Sequence, residues 1–194
     1  MKDKLLMIIF VLVLGSVLTA ALIVVNNVTT PLIDAYNVQR IKMSVLDVLG
    51  IPYNEENLES VFYENVDEAS KGAEILYISN NGDIAFEISG AGLWGPIEGV
   101  MGLNNDRKTI KRIVIVRQEE TPGLGGRIGE DEFLNRFLDK AVVPSLEIVA
   151  PGKAQNNNQV DGITGATMSV KAFEILLNTE VQRYLTLLSE EDGQ

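Results

Sequence analysis

The chain of 194 residues contains no cysteine and no histidine. Without cysteine there are no disulfides, no thiolate zinc sites and no Cys-ligated iron–sulfur clusters; without histidine, haem and zinc lose their imidazole ligands. Ser-His and Cys-His nucleophiles and a His general base go with them. The redox compartment cannot be read from cysteine use. If the chain handles electrons, an organic cofactor must carry them. A covalent cofactor could not be attached through Cys or His, which leaves a hydroxyl bonded to the cofactor's phosphate. Positive charge is also scarce, with 16 Lys and Arg against 27 Asp and Glu and a net charge of −11. Nothing here could neutralise a run of phosphates, so nucleic acid is excluded as a partner. Lys108, Lys111, Arg112 and Arg117 alternate with apolar residues and read as a solvated strand face. An acidic domain is repelled by anionic lipid headgroups, so any membrane attachment must come from a span.

One long apolar run is present. Leu5 to Val25 carries no charge and is interrupted only by Gly15, Ser16 and Thr19. At about 1.5 Å per residue it matches a hydrocarbon core of roughly 30 Å. It exceeds the apolar core of about 7–15 residues of a cleaved signal peptide. Ala20-Ala21 is followed by more apolar residues, so an uncleaved single span is expected. Lys2 and Lys4 precede the run, whereas the next basic residues are Arg40 and Lys42. The positive-inside tendency places the N-terminus in the cytoplasm and the remainder outside. The expected division is a cytoplasmic N-terminus and transmembrane helix over 1–30, a juxtamembrane helical segment over 31–70 and a domain over 71–194.

After Pro31, helical spacing runs through Leu32, Tyr36, Ile41, Val45 and Leu49 and closes at Gly50-Ile51-Pro52. A weaker helical pattern follows through Leu58, Val61, Phe62 and Val66, with Lys71-Gly72 as its stop. Ile75–Ile78 and Ile84–Ile88 read as strands around the Asn81-Gly82 turn, and Thr109–Val116 as a third strand. Glu130–Lys140 reads as a short helix and Leu146–Val149 as a short strand. Val170, Phe173, Leu177, Val181, Tyr184 and Leu188 form one helical stripe near the end of the chain. The fold class expected is α+β: a small, mostly antiparallel sheet with flanking helices behind one N-terminal transmembrane helix. Repeats and low-complexity segments are absent.

Three loops carry the chemistry. Gly90-Ala91-Gly92-Leu93-Trp94-Gly95 spells G-x-G-x-x-G after a strand. A dinucleotide-binding loop should open a helix, but Pro96, Gly99 and Gly102 follow, so that reading fails. Leu93 and the single Trp suit the lining of a flat ring; alternatively Trp94 fills the core. Glu120-Thr121-Pro122-Gly123-Leu124-Gly125-Gly126 holds more turn-formers than a plain connection needs, although a mobile surface loop would also tolerate them. Asp161-Gly162-Ile163-Thr164-Gly165-Ala166-Thr167 ends where the last helix begins. The first turn of a helix has unpaired N–H groups and a partial positive charge, which suit a phosphate. Gly165 and Ala166 leave room for close approach. The plainer alternative is that Thr164 or Thr167 only caps the helix.

These three motifs, in this order, resemble the FMN-binding subunit family, which comprises the G subunit of the Rnf ion-translocating complex and the C subunit of the sodium-translocating NADH:quinone reductase. The resemblance runs over the whole chain, span included. It implies that Thr167, the final threonine of Thr164-Gly165-Ala166-Thr167, carries FMN through a phosphoester installed from FAD by a flavin transferase. Asp161 and Thr164 would assist the transferase or orient the loop, with Gly165 and Ala166 beside them. Leu93, Trp94, Thr121 and Leu124 would wall the ring, with Glu120 and Gly123 in the same loop. Gln118 stands where the family often has a His, so any proton-handling role of that His does not carry over. The resemblance further implies an electron relay without independent turnover, working with the other subunits of a complex in the cell membrane, its flavin domain on the extracytoplasmic side. The Rnf type is expected from the compact segment between span and flavin. The equivalent quinone reductase protein, or a cofactor-free membrane-anchored scaffold, are the alternatives.

Overall fold

The computed structural model describes residues 2–71 and 74–189, so Gly72, the expected stop of the acidic stretch, lies outside the described residues. The chain divides into two compact units, Met1–Arg40 and Ile41–Gln194. The first unit is helical throughout, and its large apolar side chains from Leu5 to Val38 are exposed. The helix that contains them, α1, runs unbroken over Lys2–Leu49 and is long and apolar enough to cross a membrane. Pro31, where the span and the juxtamembrane helical segment were expected to divide, sits inside α1. One missing N–H bond costs about 3 kcal/mol, and no second breaker lies beside it. At the far end the expected stop is found. Gly50 adopts φ 73°, the Gly50 N–H bonds the Asp47 carbonyl at 3.3 Å, and the Ile51 N–H bonds that of Leu46 at 2.9 Å. This paired closure needs a left-handed residue, which glycine supplies without strain.

The second unit is an antiparallel meander with helices on both faces, the α+β class expected. Its strands are β1 (Val66–Lys71), β2 (Glu74–Ser79), β3 (Ile84–Ala91), β4 (Pro96–Leu103) and β5 (Ile110–Gln118), each paired with the next. Alternation assigns the faces. Tyr77, Ala85 and Val100 pack on Val45, Leu46, Val48 and Leu49 of α1 and on Leu58 and Phe62 of α2 (Leu58–Asn65). Leu76, Phe86, Met101 and Ile113 point the other way, into the larger core beneath the last helix, α4 (Thr167–Ser189). All six residues of the α4 stripe are buried there, and Tyr184 stacks on Phe86 at 4.1 Å.

Two expectations were wrong in kind. The helical pattern after Leu58 ends at Asn65, and Val66–Lys71 is β1. Its six residues pair in register with β2, from Val66 opposite Ser79 to Lys71 opposite Glu74, and tertiary pairing overrides weak helix propensity. The stretch Pro96–Leu103, where no strand was expected, is β4, between β3 and β5. There glycine answers to crowding. A Cβ on Gly99 would collide with the Val114 carbonyl, and one on Gly102 with the Val48 side chain, so both are needed where other chain segments press on the strand.

The remaining elements are short. Gly125–Gly129 and Asn135–Phe137 are 3₁₀ turns, and the helix expected over Glu130–Lys140 reduces to α3 (Asp131–Leu134) plus the second of these. β6 (Glu147–Val149) is the expected short strand, and it pairs in parallel with an unforeseen β7 (Gln159–Asp161). Two α4 side chains hold β6. Glu174 accepts from the Ile148 N–H at 2.7 Å, and Asn178 exchanges two bonds of 2.8 Å with the Leu146 backbone. The middle of α4 is thereby fixed against β6 and the residue before it.

Candidate functional site

A cleft of about 270 Å³ opens at the start of α4, lined by Leu93, Trp94, Thr121, Leu124, Gly125, Gly165, Ala166, Thr167, Met168 and Ser169. Three chain segments that are remote in sequence meet in it. The β3–β4 turn, closed by the Gly92 N–H on the Gly95 carbonyl at 2.8 Å, presents Leu93 and Trp94. The loop after β5 folds back on Thr121, whose carbonyl accepts from Leu124 at 3.1 Å and Gly126 at 2.9 Å, and this lifts Leu124 to the rim. The α4 entry supplies the third wall. Trp94 is 72% exposed and Leu124 48%, so Trp94 does not fill the core. Exposed apolar side chains around a hollow mark a surface waiting for an apolar ligand or partner.

The third wall has the chemistry of a phosphate seat. The first helical bond of α4 runs from the Val170 N–H to the Ala166 carbonyl at 2.9 Å, which puts Ala166 in the capping position and Thr167 at the first helical residue. A methyl group cannot accept a hydrogen bond, and Thr167 lies one residue too late to cap. The N–H groups of Thr167, Met168 and Ser169 are thus the open donors that an anion would satisfy. Gly165, at φ 82°, makes the reversal into the helix in a conformation that strains other residues. Thr167 is exposed, and no protein group takes its hydroxyl as a hydrogen-bond partner among the described residues. Ile148, Pro151, Val170 and Lys171 line part of a second hollow of about 250 Å³, which shares Thr167 and Met168 with the cleft.

Of the eleven residues singled out in the sequence, seven line the cleft: Leu93, Trp94, Thr121, Leu124, Gly165, Ala166 and Thr167. Glu120 lies beneath it, 4% exposed, with both oxygens engaged by the protein. Gly123 forms the turn behind Leu124 at φ 73°. Thr164 is exposed and does not line the cleft. Asp161 faces away, accepting from the N–H groups of Lys153 at 2.8 Å and Ala154 at 3.0 Å. The Ala154 N–H above all holds its carboxyl below the usual range. Arg136 secures the same turn from the other side through the Asp161 and Gly162 carbonyls. Gly125, Met168 and Ser169 belong to the lining and were missed. Position alone could have pointed to Met168 and Ser169, which complete the first turn after Thr167.

The antiparallel meander thus carries an apolar cleft at a helix entry. Residues 92–182 match the family described as the FMN-binding domain, and that segment contains every residue that lines the cleft. The resemblance drawn from the three motifs is therefore borne out. The chain is 28% identical over 193 aligned positions to the C subunit of the Na(+)-translocating NADH-quinone reductase of Chlamydia pneumoniae, covering 75% of this chain and 60% of the relative. It is 31% identical over 121 positions to the G subunit of the ion-translocating oxidoreductase complex of Methanosarcina acetivorans, covering 62% and 56%. The chain thus spans little more than half the length of these relatives. Among solved structures, the C subunit of the Na(+)-translocating NADH-quinone reductase from Parabacteroides distasonis superposes with a TM-score of 0.69 at 24% identity, over 80% of this chain and 96% of that one. The Shewanella oneidensis NqrC structure gives 0.68 at 15% identity, over 81% and 100%. These two likenesses establish the fold.

The residues present fit FMN. Open helix N–H groups and a hydroxyl suit its phosphate, and Leu93, Trp94, Leu124 and Met168 suit its ring. Bound there, FMN would supply electron-transfer chemistry that the side chains of this chain lack.

Proposed function

We propose that the chain is a membrane-anchored flavoprotein subunit that holds FMN by a phosphoester to Thr167 and relays electrons within an Rnf-type ion-translocating complex. The observation that carries this reading is the position of Thr167: an exposed hydroxyl on the first turn of α4, which, like the N–H groups beside it, has no hydrogen-bond partner among the described residues, at the rim of a cleft walled by Trp94. The tether fixes the tail of the cofactor only. Leu93, Trp94, Thr121 and Leu124 hold the ring, and the open side of the cleft leaves it within reach of a redox partner in another subunit. No second substrate pocket is needed for a relay. A flavin transferase is the maturation partner. The Rnf type is preferred because only the short α2 intervenes between the end of α1 at Leu49 and the first strand at Val66. The equivalent protein of the quinone reductase is the second reading, favoured by the names of several relatives and of both structural neighbours. In-gel fluorescence after denaturation tests the flavin against a cofactor-free scaffold, because a covalent flavin stays on the protein band.

Trp94→Ala should retain the covalent flavin and raise its emission, since a stacked aromatic that quenches it is removed. A Trp in the core would cost about 3–5 kcal/mol on truncation. Trp94, at 72% exposed, should cost far less, so the melting temperature stays near that of the parent. Unchanged emission together with a large fall in melting temperature would refute the stacking role.

An extracytoplasmic flavin domain is supported by α1 and the two lysines ahead of its apolar run. Protease added to intact spheroplasts should digest the flavin domain. Protection until lysis would place that domain in the cytoplasm.

A further inference from the structure

We infer that Glu120 is a positioning residue: its buried carboxylate ties the ring-facing turn of Leu93 and Trp94 to the first turn of α4, and so sets their placement relative to Thr167. The inference rests on the flavin reading for the identity of what the cleft holds, but the tie itself is a property of the protein alone. Oε1 of Glu120 accepts from the Leu93 N–H at 2.6 Å and from the Trp94 N–H at 3.1 Å. Oε2 accepts from the Ser169 hydroxyl at 2.6 Å. The three bonds join segments 27, 26 and 49 residues apart in sequence. Hydrogen bonds to an ionised group are roughly twice as strong as neutral ones. Burial raises the cost of breaking any of them, because an unpaired buried acceptor bears its full desolvation penalty.

The neighbourhood is shaped around this carboxylate. A Cβ on Gly92 would lie 2.5 Å from Oε1, and one on Gly125 would lie 2.7 Å from Oε2 and collide with the Ser169 hydroxyl. Both glycines thus leave room for the group. The Gln118 side-chain carbonyl accepts from the Glu120 N–H at 2.6 Å and sets the backbone from which the carboxylate reaches inward. Glu120 does not line the cleft. It acts through the groups that do. Without it, nothing in the hydrogen-bond pattern of the described residues joins the β3–β4 turn to α4 at this end, and the exposed Trp94 has little packing of its own to hold it.

Trp94 is the only tryptophan, so the intrinsic fluorescence anisotropy and acrylamide quenching of the full-length, flavin-free chain in detergent report this turn alone. Glu120→Ala should lower the anisotropy and speed quenching. Glu120→Gln should keep both near the parent values, because its Oε1 can accept the same two N–H groups while its amide donates to the Ser169 oxygen. Ser169→Ala should lower the anisotropy partway, although Ser169 makes no hydrogen bond to Trp94. A merely stabilising glutamate would shift melting in these variants and leave Trp94 unmoved. A folded Glu120→Ala with unchanged anisotropy overturns the inference, as does a Glu120→Gln that loosens Trp94 as fully as alanine does. Should Glu120→Ala fail to fold, Ser169→Ala decides: a fall in anisotropy supports the tie and an unchanged value refutes it. If the parent chain takes up no flavin, the proposed function fails while the comparison on Trp94 stands.

Discussion

Thr167→Val, co-expressed with a flavin transferase, should yield full-length protein whose intact mass carries no FMN, where the parent chain gains one FMN. The substitution removes one oxygen and keeps the β-branched shape. Thr167 is exposed at the first helical position and its hydroxyl bonds no described protein group, so stability should change by no more than about 0.5 kcal/mol. The chemistry explains the all-or-none outcome. In the proposed attachment, loading from FAD would form the bond between the Thr167 oxygen and the FMN phosphorus and break the pyrophosphate bond, with AMP leaving and the hydroxyl proton released. A valine methyl cannot enter that exchange. Thr164 is the nearest alternative acceptor in the motif, and it is also exposed. Peptide mapping therefore accompanies the mass measurement. Flavin that persists in the variant, or maps to Thr164 in the parent, would show the assignment to be wrong.

Phe173→Ala should cost about 3–5 kcal/mol of unfolding free energy, read as a lower urea midpoint. Phe173 is fully buried on α4, with ring centroids 5.8 Å from Phe137 and 6.2 Å from Phe133. Those rings stand on the short elements after the Glu120 loop, so Phe173 fills the space between α4 and residues 131–137. The cavity left by truncation cannot close easily, because α4 is also held by Asn178 and Glu174 on β6 and by Leu176 against Gly90. A loss below about 1 kcal/mol would mean that the helix repacks freely, and the cleft would then have no rigid floor.

Much of this architecture was legible in the order of the amino acids. The α4 stripe showed because a 3.6-residue period survives wherever a helix lies on a core, and all six residues named from it are buried. The Gly50 stop showed because a left-handed residue at a helix end has few alternatives. β4 did not show. Its glycines answer to neighbours from β5 and α1, and crowding by residues many positions away leaves no local trace. The misreading of β1 has the same origin, since only its register with β2 makes it a strand. At the site, seven of the ten residues lining the cleft were named, from turn-formers, apolar tips and the resemblance they carry, and Gly125, Met168 and Ser169 were missed. The office of Glu120 was missed too, because a buried carboxylate and a solvated one look alike in sequence, and its partners lie up to 49 positions away.

The cleft is assembled from a turn at residues 92–95, a loop at 120–126 and a helix entry at 165–169. Neighbouring strands of the meander pair locally, and such contacts form early because little chain entropy opposes them. The three walls come together only when the entry of α4 packs against the other two segments. A transferase that reads the assembled cleft would therefore modify finished domains and pass over partly folded chains. Covalent colour on this protein would then serve as a certificate of folding, and the yellow fraction of a preparation would measure how many molecules completed it.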